Sequence, residues 1–223
     1  MIEDEVNKKY WSTVSPEKIL SGVFLPGEEF TKFVKTKSSV LDVGCGPGKV
    51  SEYLRAQDYV VTGIDINKQA IVENKKRKSN ITYLVADITK RLSFADSSFD
   101  AIVVPYVFVS IIDETVQQKA VVELVRVLKE GGILWLCEAT HSRDYEERYE
   151  IGKEITGRDN VAISFVDVRP GKKEIKRFIR HYSSEELDRL FSSLTKLSSK
   201  QVGVISPNSG MEVQTIIAVY KKI

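Results

Sequence analysis

Apolar residues gather in five short runs over the first 140 positions: VLDVG (40–44), YVVTGID (59–65), ITYLVA (81–86), DAIVVPYV (100–107) and ILWLC (133–137). Each is strand-length, and each is too uniformly apolar for a half-exposed strand. Helical patterns lie between them. One covers about Lys49 to Gln57, and a second opens at Asn67, a good N-cap. A third opens at Asp113 and carries Val116, Ala120, Leu124, Val127 and Leu128 along one face until Gly131-Gly132 stops it. Strands buried on both faces and alternating with helices predict a parallel sheet with helices on both sides.

The pattern changes after residue 138. Residues 139–173 are polar, charged and aromatic, with no clean period. KEIKRFIRHY (173–182) alternates in part and suggests a strand. Ser183-Ser-Glu-Glu186 matches a capping box, with Leu187, Leu190, Phe191 and Leu194 following at helical spacing. LSSKQVGVIS (197–206) and EVQTIIAVY (212–220), joined across PNSG, predict a closing antiparallel hairpin. The expected fold is therefore α/β and Rossmann-like, a seven-stranded, mostly parallel sheet ending in an antiparallel hairpin.

Composition narrows the classes without choosing one. The chain has 223 residues, 42% of them hydrophobic, which suits one domain with an ordinary core. With 33 basic and 31 acidic residues the net charge is +2, which disfavours a nucleic-acid partner. Lys75-Lys-Arg-Lys78 reads as a solvated helix end, and Lys172, Lys173, Lys176, Arg177 and Arg180 as a solvated strand face that could attract an acidic substrate. The N-terminus MIEDEVNKKYW has acids where a signal peptide carries bases, and no apolar run reaches the roughly 18 residues of a membrane span. A cytoplasmic protein is expected. Cys45 and Cys137 provide neither a disulfide framework nor metal-ligand spacing, so no metal is expected.

The chemistry begins at VLDVGCGPGKV (40–50). A phosphate-binding P-loop needs a glycine five positions before Gly48 and a hydroxyl after Lys49, and finds Val43 and Val50. A dinucleotide loop needs G-x-G-x-x-G, and counting from Gly44 its third glycine falls on Lys49. The loop is G-x-G-x-G preceded by Asp42. A carboxylate there would repel a pyrophosphate at the helix N-terminus but suits a ligand with an ammonium group at one end and a nucleoside at the other.

VLDVGCGPGKV resembles the first motif of the class I S-adenosylmethionine-dependent methyltransferases. VVTGIDINKQAI, VADIT, FDAIVVPYVFVSI and ELVRVLKEGGILWL resemble the family's later blocks, in order, over residues 38–138. The resemblance implies S-adenosylmethionine as cofactor, with Asp42 near its ammonium and Gly44, Cys45 and Gly46 along its methionine and ribose. Asp65 would take the ribose hydroxyls, Asp87 the adenine amino group, and Ile88 would lie beside the ring. Gly48, Ile66 and Pro105 complete the expected contacts. It also implies one domain over 1–223: a cap region (1–37), a cofactor core (38–138), a substrate lid (139–182) and a C-terminal helix with hairpin (183–223).

Methyl transfer from a sulfonium needs alignment and dryness, and a general base only for some acceptors. Val103-Val-Pro-Tyr106 lacks the polar acceptor of base N-methylating relatives and the Pro-Cys of cytosine-C5 enzymes. Candidate catalytic or acceptor-contacting groups are Tyr106, Glu138 and His141 at the ends of strands four and five, and His181 before the C-terminal helix. Tyr10 and Trp11 suit a helix over the cofactor. The expected partner is a small-molecule methyl acceptor. An RNA or protein methyltransferase and a cofactor-binding regulatory subunit without turnover are the alternatives, and an NAD-dependent oxidoreductase ranks last.

Overall fold

The computed structural model describes residues 2–18, 24–141, 145–169, 172–205 and 212–223. After helices α1 (Ile2–Thr13) and α2 (Glu28–Thr31), strands and helices alternate: β1 (Ser39–Val43), α3 (Lys49–Ala56), β2 (Val60–Asp65), α4 (Lys68–Lys76), β3 (Thr82–Val85), β4 (Phe99–Pro105), α5 (Glu114–Val127) and β5 (Leu128–Ala139). Then come α6 (Glu146–Thr156), β6 (Val161–Arg169), β7 (Lys172–Arg180), α7 (Ser184–Leu190), β8 (Thr195–Ile205) and β9 (Glu212–Lys221). Seven strands form one sheet in the order β3-β2-β1-β4-β5-β9-β8. The first five are parallel, and β9 and β8 are antiparallel. The expected Rossmann-like sheet is the one observed. The PNSG turn lies outside the described residues.

Alternation along each strand divides the core into two layers. Leu41, Val43, Ile102, Val104, Leu134, Leu136, Ile216 and Ala218 face α5 and α7. Val40, Val61, Ala101, Val103, Ile133, Trp135, Ile217 and Val219 face α2, α3 and α4. Both faces of the sheet are thus covered, which is why its strands are apolar without interruption. The predicted caps also form. Asn67 Oδ1 accepts from Ala70 N–H at 3.0 Å, Asp113 Oδ1 from Val116 N–H at 3.0 Å, and Ser183 with Glu186 closes a reciprocal capping box.

Two regions differ from expectation. α5 ends at Val127, not at the glycine pair, because the chain turns extended at Leu128 and pairs there with Phe99. Gly131, with φ 75°, lies in an irregular early part of β5 and bonds to Lys222 O. Residues 139–173, without a readable period, contain α6 and β6. β6 pairs only with β7, as a separate two-stranded hairpin. Its register shifts between Ser164 and Phe165, which breaks the alternation the sequence would have shown. Among the described residues no helix is long and apolar enough to cross a membrane.

Candidate functional site

A cavity of about 270 Å³ opens over the C-terminal ends of β1, β2 and β4, where ligands of open α/β sheets bind. One wall is the glycine loop. Gly44, Gly46 and Gly48 all have positive φ (68°, 48° and 82°). A Cβ on Gly44 would stand 2.6 Å from Val107 Cγ2, and one on Gly48 2.7 Å from the Tyr83 hydroxyl oxygen. Only glycine meets both demands. The loop is tied down from several sides. Cys45 N–H donates to Ile64 O at 2.9 Å, Gly46 N–H to Asp65 Oδ2 at 2.7 Å, and Asn74 Nδ2 to Gly46 O at 2.8 Å. Arg77 donates to Pro47 O at 2.7 Å, so one member of the basic run 75–78 holds the loop. Cys45 is buried, and burial pushes its thiol pKa up, so it serves as a small packing residue and not as a thiolate nucleophile.

Three acids line this part of the cavity. Asp42 is wholly buried; its Oδ2 accepts from the Ser51 hydroxyl at 2.6 Å, and its Oδ1 has no partner. Burial pushes its pKa up to about 7 against the Ser51 bond, and nearby Asp65 adds to the rise. Asp65 accepts one amide on each oxygen, from Gly46 on Oδ2 and from Asn67 on Oδ1, both at 2.7 Å. Each oxygen keeps a lone pair. Asp87 is already engaged: Thr89 donates its amide and hydroxyl to Oδ1, and Lys8 Nζ pairs with Oδ2 at 3.1 Å. Burial raises the Asp87 pKa, but these partners outweigh it and hold the carboxyl below its ordinary value. Ile66, Ile88 and Pro105 line the same cavity, as does Gly46, whereas Gly48 is held outside its wall as the cap of α3.

The opposite wall comes from the ends of β4 and β5 and from β7. Tyr106, itself at φ 55°, shares a 2.7 Å hydrogen bond with the Thr215 hydroxyl. Arg177, Ile179 and His181 line the cavity from alternate positions of one chain segment, while Phe178 and Arg180 face the other way. His181 is 3% exposed, and its Nδ1 has no partner. Burial, then His141 and Arg177, pull its pKa down to about 3, so it is neutral at physiological pH.

Two sequence candidates are not in the cavity wall. Glu138 is fully buried and its carboxylate is spent on a turn, accepting from Val107 and Phe108 N–H on Oε1 (3.0 and 2.9 Å) and from Val109 N–H on Oε2 (3.0 Å). Burial raises its pKa to about 8 against those three amides. His141 is exposed and stacks on Tyr149 at 4.3 Å. Glu138 instead shapes the wall through Val107 and Val109.

The roof is α1, which sequence reasoning placed only through Tyr10 and Trp11. Its mean pattern is polar, so no apolar stripe announces it. It docks by hydrogen bonds. Asp4 caps Ile112 and Asp113 N–H at 2.7 and 3.2 Å, and Asn7 exchanges bonds with the Phe178 backbone at 2.8 and 3.0 Å. Asn67 Nδ2 reaches Trp11 O and Val14 O. Asp4 and Asn7 are its two buried residues, with Val6 packed beside them on Ile112 and Phe178.

The methyltransferase domain family model matches residues 41–136, the span from β1 to β5. A crystal structure of a SAM-dependent methyltransferase from Methanosarcina mazei superposes with a TM-score of 0.78 at 26% identity, covering 86% of this chain and 95% of that one. Residues 41–136 therefore match a methyltransferase domain, and the chain has the fold of a SAM-dependent methyltransferase. The chain is similar to a malonyl-[acyl-carrier protein] O-methyltransferase of Enterobacter lignolyticus, 36% identical over 110 residues, which are 49% of this chain and 39% of that one. It is also similar to a demethylmenaquinone methyltransferase of Paenarthrobacter aurescens, 32% identical over 108 residues, or 48% and 41% of the two chains. The match therefore spans less than half the length of these relatives. The family-model match ends at residue 136 in β5, so α6, β6 and β7 lie beyond it. The methyl donor of the family is S-adenosylmethionine.

Proposed function

We propose that this methyltransferase-family chain binds S-adenosylmethionine along the glycine loop and transfers its methyl group to a small-molecule acceptor held under residues 139–182. The observation that carries this reading is the continuity of one cavity from Asp42 and Asp65 to Tyr106, Ile179 and His181. The residues present fit the cofactor. The unpartnered Asp42 Oδ1 suits its ammonium, and the free lone pairs of Asp65 suit two ribose hydroxyls. Gly44, Cys45 and Gly46 allow close backbone approach, and Ile66, Ile88 and Pro105 supply apolar surface. Asp87, whose Oδ2 pairs with Lys8 at 3.1 Å, joins α1 to the nucleoside end and keeps a lone pair on that oxygen for the adenine amino group.

The bound cofactor supplies an electrophilic methyl group on a sulfonium. This chain's residues align, enclose and desolvate. Tyr106, set by the Thr215 bond, and the Val107–Val109 turn, set by Glu138, fix the floor beneath the acceptor. α1 closes the top through Asp4 and Asn7. Neutral His181 is placed to hydrogen-bond an acceptor, and at a pKa of about 3 it is a weak base. The small-molecule class is supported by the largely apolar cavity and by the names of the two relatives. Methyl-labelled S-adenosylmethionine offered with a metabolite pool is expected to label a small molecule; labelling of an RNA pool alone would overturn the class. Labelling of neither, with intact cofactor binding, would favour a regulatory subunit.

A pH effect follows from Asp42. The free protein holds this carboxyl near a pKa of about 7, whereas an ammonium beside it favours the ionised form. Affinity for S-adenosylhomocysteine should therefore rise with pH up to about 7, by as much as about tenfold per unit, and then level off. Calorimetry in buffers of different ionisation enthalpy should show close to one proton released per ligand below that pH. A flat profile between about pH 5.5 and 8 would remove Asp42 from the ammonium.

A further inference from the structure

Charge around the cavity is unevenly satisfied. Asp42, Asp65 and Asp87 lie by the glycine loop and β3, and Lys8 is paired with Asp87. Arg177 also lines the cavity, from β7, and none of the ion pairs among the described residues includes it. Its neighbour Arg180, on the other face of the strand, pairs with both Glu114 and Glu186. Arg177 Nε is buried without a hydrogen-bond partner, and so is Nε1 of Trp11, over whose ring the guanidinium sits at 5.0 Å. The Tyr10 ring is 5.7 Å from the same guanidinium. These rings fix the fork but cannot neutralise it. A second guanidinium, Arg148, stacks on Tyr145 of the same wall at 5.0 Å.

A half-buried cation whose Nε is buried and idle, beside a second buried idle donor, is costly unless an anion completes it. Two obligate donors converge on one cavity, since neither an indole N–H nor a guanidinium can accept. Their strand face continues through Ile179, which packs with Val109 and Ala139 at the ends of β4 and β5 and with Tyr106 and Tyr145. That continuity places Arg177 on the acceptor side, while Trp11, whose carbonyl accepts from Asn67 Nδ2 at 2.9 Å, reaches it from the end of β2. We propose that the acceptor is an acidic small molecule whose carboxylate or phosphate is bound by Arg177 and Trp11 Nε1. This rests on the reading of the cavity as a methyl-transfer site. The anion anchors the acceptor at α1 and β7 while its apolar body lies along Ile179 and Val109 toward Tyr106.

The test uses the whole chain saturated with S-adenosylhomocysteine and titrated with benzoate, phenyl phosphate and the neutral benzamide. Wild type is expected to bind at least one of the two acids, and more tightly than benzamide. Arg177→Met should weaken that acid about tenfold or more while leaving S-adenosylhomocysteine affinity unchanged, and Arg177→Lys should retain part of it. If Arg177→Met does not fold, the acid-to-benzamide ratio in wild type and in Arg177→Lys decides. The proposal is overturned if neither acid binds, if benzamide equals the acids, or if Arg177→Met leaves the acids unaffected. It is also overturned if Arg177→Met weakens S-adenosylhomocysteine tenfold, since Arg177 would then serve the cofactor's own carboxylate. Failure of wild type to bind S-adenosylhomocysteine at all would instead overturn the functional reading beneath it.

Discussion

Asp65→Ala is expected to lower affinity for S-adenosylhomocysteine by about a hundredfold or more, the largest single loss in the cofactor half of the site. Two effects combine. On the proposed reading the ribose would lose a bidentate charged acceptor, at roughly 1.5–3 kcal/mol per charged bond before compensation. The amides of Gly46 and Asn67, both 2.7 Å from this carboxylate, also lose their acceptor, so the glycine loop and the start of α4 lose a shared anchor. Asp65→Asn separates the two effects. It preserves shape and one acceptor oxygen, so the loop should hold while the ribose contact weakens, giving an intermediate affinity by calorimetry. Equal affinity for wild type and the alanine variant would mean the ligand does not lie against β2.

Glu138→Ala is expected to destabilise the chain by about 3–4 kcal/mol, or roughly 10 °C in melting temperature, with a cause unrelated to proton transfer. Three amides of the buried turn 107–109 would lose their acceptor together, each a desolvated donor of about 1–3 kcal/mol, with partial rescue by water. Because Val107 and Val109 line the cavity, activity should fall as well, through the shape of the floor. Glu138→Gln should recover part of the stability, since its amide oxygen can still accept from Val107 and Phe108. A residue acting as base would show the reverse pattern, normal stability with lost turnover. Thermal melts of the two variants beside wild type read the difference.

The contrast between Asp65 and Glu138 shows what the sequence made legible. Asp65 sits at the end of a strand, a fixed distance after a loop whose glycine spacing excludes two other nucleotides, so its place is set by local order. Glu138 also ends a strand, but its side chain turns inward to a backbone segment 30 residues earlier, and no local pattern encodes that choice. The parallel sheet was readable because burial on both faces imposes uniformly apolar strands. β6 was not, because it belongs to a small hairpin with a bulge and alternates imperfectly. α1 was readable only through its aromatics, since its docking is polar and nonlocal, by Asp4 to the amides of Ile112 and Asp113. Arg177, Ile179 and His181 did alternate visibly in KEIKRFIRHY, yet which face would meet a cavity depended on where β7 packs. The basic run at 75–78 looked uniformly solvated, and three of its members are exposed without a partner role in the site, but Arg77 reaches back to the loop.

The most direct test is a calorimetric titration of the unmodified chain with S-adenosylhomocysteine, repeated with a large excess of NAD. A glycine loop with three positive-φ residues, an unpartnered Asp42 oxygen and a pre-set Asp65 predict one site of about micromolar affinity, indifferent to NAD. No heat and no saturation at millimolar ligand, or displacement by NAD, would contradict the account.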